Sequence, residues 1–337
     1  MAAGKDLTVF IDFKSPYAYL AIEPTRRLAR ELDIAIDWLP FVLDIPSYLG
    51  SARLGSSGEV ARQKRSDNQW SKVKYAYYDC RRYANLRDMT VRGTVKIWDT
   101  NLPAIGMLWA KQQGDDILQR YIDGIYMPFW KRELDVEDLA VIENVLQAAG
   151  ANTQGFRDYA GAEGAQENER LQLGAFNHGI FGVPTYILGD GIYFGREHLP
   201  RIRWQLEGKH GISPDVAYEL MPDSQIEKAT THTLDIGLCL EDPESLLAIE
   251  SIIALQRDLD LDLNWYALPS RKRDSRPDEG DGGRGARHRV YRFENRQRDQ
   301  RRYLARIDGC GEIAGHLTAL LETRAGCGRP RRHRKRA

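Results

Sequence analysis

A chain of 337 residues is about twice the usual domain length of roughly 150, and 42% apolar with 28% charged side chains is ordinary for a globular protein. The formal charge of zero hides a split, with about 20 basic and about 9 acidic residues from Arg271 onward and a correspondingly acidic remainder. No run of about 18 apolar residues occurs, so no membrane helix and no membrane partner are expected. Met1 to Leu7 contains neither a basic leader nor a small-residue cleavage site, from which a cytoplasmic location is expected.

Leu7-Thr-Val-Phe-Ile-Asp-Phe13 alternates and is rich in strand formers. After Lys14-Ser-Pro-Tyr17 the spacing becomes helical through Leu20, Pro24, Leu28 and Leu32, and Ile34 to Phe41 reads as a second strand. A strand, a short helix and a strand of equal length predict a parallel pair. From about 47 to 178 only helical patterns are found, including Ala104 to Gln113, Ile117 to Trp130 and Val136 to Ala149, which reads as a helical insertion without strands. Strand signals return at Thr185 to Leu188 and Ile192 to Phe194, joined by Gly189-Asp-Gly191 in hairpin fashion, and a helix over Arg196 to Leu206 closes the unit.

Residues 211–233 are polar, contain Pro214 and Pro222 and suit a linker. A repeat follows. Sliding the chain by 227 places Pro243, Leu247, Ala248, Ile249, Glu250 and Trp265 on Pro16, Leu20, Ala21, Ile22, Glu23 and Trp38, with ten identities in 23 positions. Residues 234–305 therefore read as a truncated second copy in which Asp242 replaces Ser15. Residues 306–337 form a basic tail ending in Arg331-Arg-His-Arg-Lys-Arg336; a solvated tail is favoured over a nucleic-acid patch, and no nucleic-acid partner is expected.

Cys80, Cys239, Cys310 and Cys327 include no C-x-x-C pair, so no local zinc knuckle or dithiol centre is expected, and free, buried or incidental thiols are. The turn Ser15-Pro16-Tyr17-Ala18 has the place and the proline of the Cys-Pro-x-Cys turn in thioredoxin-like redox enzymes, but lacks both sulfurs, which excludes thiol–disulfide exchange there. Two readings of Ser15 stand side by side. It is the N-cap of the helix beginning at Pro16, or its hydroxyl donates to a bound thiolate, such as that of glutathione, beside a helix N-terminus. Phe181-Gly-Val-Pro-Thr185 occupies the place of a cis-proline facing that turn. A cis Val183–Pro184 bond would turn the Val183 backbone outward toward a peptide ligand; the alternative is a trans proline opening an edge strand. Tyr17, Tyr19 and Trp98, with Trp109 and Trp130, either line an apolar pocket or are core.

These ordered motifs resemble one family. They are Asp12-Phe-Lys-Ser-Pro-Tyr-Ala-Tyr-Leu20, Trp38-Leu-Pro-Phe41, Tyr78-Asp-Cys-Arg-Arg-Tyr-Ala84, Phe129-Trp130, Phe181-Gly-Val-Pro-Thr185 and Tyr193-Phe-Gly-Arg-Glu-His-Leu199. The chain resembles the 2-hydroxychromene-2-carboxylate isomerases and kappa-class glutathione transferases, within the DsbA-like thioredoxin superfamily, over about residues 7–209. The resemblance implies an α/β thioredoxin-like fold with a helical insertion in residues 1–210, a homodimer, and glutathione as cofactor bound between Ser15 and Val183–Pro184. It implies a small aromatic or conjugated substrate that undergoes isomerisation or transfer. The closing-helix turn, Gly-x-Asp-Arg in such relatives, would grip the γ-glutamyl end; here it reads Gly195-Arg196-Glu197-His198, which makes Glu197 and His198 the candidates. A DsbA-type disulfide oxidoreductase and a non-catalytic tandem scaffold are the competing readings.

Overall fold

A computed structural model of the chain describes residues 5–54, 60–214, 233–239, 243–259 and 261–268. The chain divides into two units at Pro222. Residues 306–337, Asp242, Cys310 and Cys327 lie outside the described residues.

In the first unit β1 (Leu7–Ile11) is buried at all five positions, as a central strand covered on both faces should be. It leads into α1 (Pro16–Leu32), which turns Ala18, Ala21, Thr25 and Leu28 inward at helical spacing. The helix ends at Asp33, whose left-handed φ of 51° donates its amide back to Ala29 O. β2 (Ile36–Pro40) then pairs parallel to β1 in the register Leu7↔Ile36 to Ile11↔Pro40.

The insertion is helical with one exception. α2 (Ile45–Leu49) is followed by a hairpin of β3 (Ser51–Leu54) and β4 (Val60–Lys64), before α3 (Asp67–Asn85), α4 (Asn101–Gln112), α5 (Asp115–Lys131), α6 (Leu139–Ala148), α7 (Phe156–Gly161) and α8 (Glu163–Asn177). The hairpin corrects the expectation of no strand between 47 and 178. Ser-Ala-Arg-Leu and Val-Ala-Arg-Gln-Lys contain one β-branched residue between them and are too short for their alternation to register. The helix read from Val136 begins at Leu139, because the Asp138 carboxylate caps it by accepting from Ala140 N at 2.8 Å.

β5 (Thr185–Leu188) and β6 (Gly191–Phe194) complete a four-stranded sheet ordered β2-β1-β5-β6, with β5 antiparallel to β1. The closing helix starts later than its sequence suggests: Arg196–His198 is a single 3₁₀ turn, and α9 covers Leu199–Leu206. The outer edge of β2 is shielded by the insertion. Lys111 of α4 donates to Trp38 O at 3.0 Å and pairs with Asp37, while Gln172 of α8 donates to Pro40 O and accepts from Val42 N. Trp130, Tyr121, Tyr126, Tyr186, Phe13 and Phe156 are the largest wholly buried side chains. The buried phenols have partners: Tyr126 donates to Asp12 O, Tyr121 to Pro103 O, and Tyr186 shares a hydrogen bond with Thr25.

The second unit holds β7 (Thr233–Leu238), α10 (Pro243–Leu259) and β8 (Asp262–Ala267). β7 and β8 are parallel, from Thr233↔Asp262 to Leu238↔Ala267. The pairing offset is 29 residues, as it is between Leu7 and Ile36, and both crossover helices are 17 residues long.

Candidate active site at the β1–α1 turn

Asp12 organises the turn. Its carbonyl accepts from Ser15 N at 2.9 Å and from the Tyr126 hydroxyl at 3.0 Å. Its carboxylate accepts from Thr100 Oγ1 at 2.7 Å, Leu43 N at 2.8 Å and Lys14 N at 3.2 Å. Burial raises the Asp12 pKa, against the opposing Lys14 charge and these hydrogen bonds. Thr100 precedes α4 but spends its hydroxyl on Asp12, so Asp99 serves the Asn101 amide instead. In the sequence Asp12 stands out only as a carboxylate that follows the apolar run Leu7 to Ile11.

Ser15 is 5% exposed and its hydroxyl group makes two hydrogen bonds. Its Oγ caps α1 by accepting from Ala18 N at 3.2 Å, and its hydroxyl donates to Val183 O at 3.4 Å, across the gap to the other motif. The N-cap alternative is therefore realised, without consuming the proton in the helix itself. Pro16 has no N–H, and Ala18 N and Tyr19 N are occupied by Ser15 Oγ and Ser15 O. That leaves the Tyr17 amide, and the Ser15 hydroxyl where it is released from its long bond to Val183 O, as the donors at the head of α1.

Val183–Pro184 is a cis peptide, as the sequence reading expects. Val183 is buried, and its carbonyl faces Ser15 rather than standing free for a ligand. Ser15 and Val183–Pro184, 168 residues apart in the chain, are thus brought together because β5 lies beside β1.

The aromatic trio does not share one surface. Tyr17 and Tyr19 are two residues apart on a helix and so diverge. The Tyr17 hydroxyl donates to Asp79 Oδ2 of α3 at 3.3 Å, whereas Tyr19 stacks on Tyr126 of α5 at 5.1 Å. Burial, then Cys80 and Asp79, push the Tyr17 phenol far above its ordinary value, which keeps it a neutral donor. Trp98 packs edge-on against Phe129 with the Lys96 ammonium 4.3 Å from its ring centre. Trp109 packs on Phe156 and Tyr159, and Trp130 is wholly buried, so both are core of the insertion. A separate cleft of about 430 Å³, lined by Leu39, Leu108, Lys111 and Arg170 among others, does not include the Ser15 turn.

Glu197 and His198 lie half-buried in the 3₁₀ turn, where the His198 ring meets Tyr193 at 5.7 Å. Gly195 has φ 107°, and a side chain there would collide with the Glu197 carboxylate folded back over it. Between them the sequence reading passed over Arg196, which is 2% exposed with its guanidinium 4.4 Å above the Tyr83 ring. Its neighbour Cys80 is a free, buried thiol whose pKa burial pushes up to about 12, so it is no nucleophile at neutral pH. Among the described residues no group of three His, Cys, Asp or Glu side chains could hold a metal ion.

Comparison with known proteins agrees with this fold. A 2-hydroxychromene-2-carboxylate isomerase of Sphingobium xenophagum is 25% identical over 198 residues, covering 58% of this chain and 94% of the relative. One from Pseudomonas sp. (strain C18) is 24% identical, covering 61% and 90%. The solved structure of a 2-hydroxychromene-2-carboxylate isomerase is similar over 60% of this chain and 93% of that one, with 21% identity and a TM-score of 0.45. The model of the DSBA-like thioredoxin domain matches residues 6–207. With that match spanning more than half of its length, the chain belongs to the DsbA-like thioredoxin family.

Proposed function

We propose that the first unit is a glutathione-dependent isomerase or transferase of the 2-hydroxychromene-2-carboxylate isomerase and kappa type, in which Ser15 stabilises the thiolate of glutathione. The observation that carries the reading is the Ser15 hydroxyl, fixed at the head of α1 and pointing across to Val183 O at 3.4 Å. That hydrogen bond is long and weak. An incoming thiolate competes for the same proton, because a charged acceptor beside a helix N-terminus is the stronger partner. The relatives named above are isomerases, at low identity, which favours isomerisation over redox chemistry. So does the turn itself, which has no cysteine.

Glutathione would supply a thiol with an unperturbed pKa of about 8.5 that adds to a conjugated carbon and leaves after bond rotation. The residues of this chain do the rest. Ser15 and the Tyr17 amide favour the ionised thiol, the Val183 carbonyl and Pro184 border the peptide, and Glu197 and His198, with Arg196 beside them, stand at the closing-helix turn for its γ-glutamyl end. Of the three aromatic candidates only Tyr17, in the first turn of α1 beside Ser15, is kept for the aromatic substrate, because Tyr19 and Trp98 pack elsewhere, and the active form is a cytoplasmic homodimer in this reading.

The test is calorimetric titration of glutathione into the wild type and Ser15→Ala, with the bound thiol titrated by its ultraviolet absorbance. The expected result is a bound-thiol pKa at least one unit higher in the variant. Tight binding with an unchanged thiol pKa would remove Ser15 from the chemistry.

A further inference from the structure

The residue before Ser15 is a lysine whose ammonium has no hydrogen bond among the described residues. The Lys14 side chain is 6% exposed, and its Nζ stands 3.7 Å from Asp12 Oδ2. That is an ion pair but too long for a hydrogen bond. Asp12 does not need it closer, because Thr100 Oγ1, Leu43 N and Lys14 N already donate to its carboxylate. Lys14 gains a compensating charge and keeps its N–H donors, on a side chain that is itself largely buried. The groups facing this pair are Thr100 before α4, Leu43 after β2, and from α2 the Tyr48 phenol, which burial, then Asp12 and Asp44, hold above its ordinary value.

We propose that the Lys14 ammonium is a specificity-determining group that receives a carboxylate of the molecule handled at the Ser15 turn. The inference rests on the function proposed above. Asp12 pairs with the lysine at 3.7 Å while its carboxylate is held by three other donors, and the anion takes the ammonium donors left over. The carboxylate belongs either to the conjugated substrate or to the glycyl end of glutathione. Lysine at this position therefore selects acids over their neutral esters.

The experiment measures calorimetric binding to the full chain of 2-hydroxychromene-2-carboxylate and its methyl ester, and of glutathione and its glycyl ethyl ester. Wild type, Lys14→Met and Lys14→Arg are compared. The expected result is at least tenfold weaker binding of one acid to Lys14→Met, the matching ester unchanged within twofold, and most of the loss restored in Lys14→Arg. Which acid responds identifies the source of the carboxylate. Equal effects on acids and esters, or none on either pair, overturn the proposal. Should Lys14→Met fail to fold, the wild type decides: no preference for either acid over its ester overturns it. A wild type that prefers the acid but leaves the thiol of glutathione un-ionised sinks the function proposed for Ser15 while sparing Lys14.

Discussion

The chain builds the same β-α-β twice, with equal helix lengths and equal strand offset, and among the described residues the candidate site lies in the first copy. In the first unit β1 is flanked by β2 and by β5, and a core that runs from Leu7 to Ile202 closes around it. The described part of the second unit has two strands and a core of Ile236, Leu238 and Ile249, with Ile252, Ile253, Leu263 and Trp265 partly buried against it. The repeated motif is thus a frame. The candidate site draws in addition on β5, which follows Val183–Pro184 and pairs with β1, and on the segments that bring Thr100 and Tyr126 onto Asp12.

The comparison can be broken most forcefully in the cores. Trp130→Ala removes a wholly buried ring from the first unit and is expected to cost about 3–5 kcal/mol, read from denaturant unfolding with hydrogen exchange to locate it. A loss below about 1 kcal/mol would mean that the insertion does not hold the first unit together. Ile249→Ala, in the smaller cluster, should cost about 2 kcal/mol, with exchange in β1 and β5 unaffected. Smaller again is the cap: Ser15→Ala should lose about 1 kcal/mol through the freed Ala18 amide, apart from any effect on glutathione.

The cysteines sharpen the contrast at the low end of the scale. Cys239 is half-exposed and Cys80 buried, so iodoacetamide at pH 8 should label Cys239 while the native fold protects Cys80, as peptide mass mapping would reveal. Because the Cys80 pKa is raised from 9.0 to about 12 in the fold, the unfolded chain ionises first. Its contribution to stability is whole below pH 9 and is lost as the pH climbs through about 12. Cys80→Ala should flatten the stability profile over that range; an unaltered slope would count against the burial of this thiol as its cause.

Local pattern was enough for a good deal of this protein. The apolar run Leu7 to Ile11, the proline opening α1, the Gly189-Asp-Gly191 turn and the repeat at 227 residues each encode a short-range preference, and each element formed within a few residues of its expected place. The starts of α6 and α9 shifted because side-chain capping and a 3₁₀ turn, which periodicity does not register, set where a helix begins. The weak β3–β4 hairpin escaped for the complementary reason that its residues have little strand preference of their own.

The chain's primary structure supplies the groups themselves: a hydroxyl where a thiol would sit, a proline ahead of β5, and lysine between Asp12 and Ser15. How they are used follows from packing. It directed the Ser15 hydroxyl to both Ala18 and Val183, gave Asp12 three donors from three segments, separated Tyr17 from Tyr19, and placed Arg196 over Tyr83. Hydrogen bonds and ring contacts between residues 31 to 168 positions apart depend on how strands are ordered and helices packed, and no local propensity carries that information.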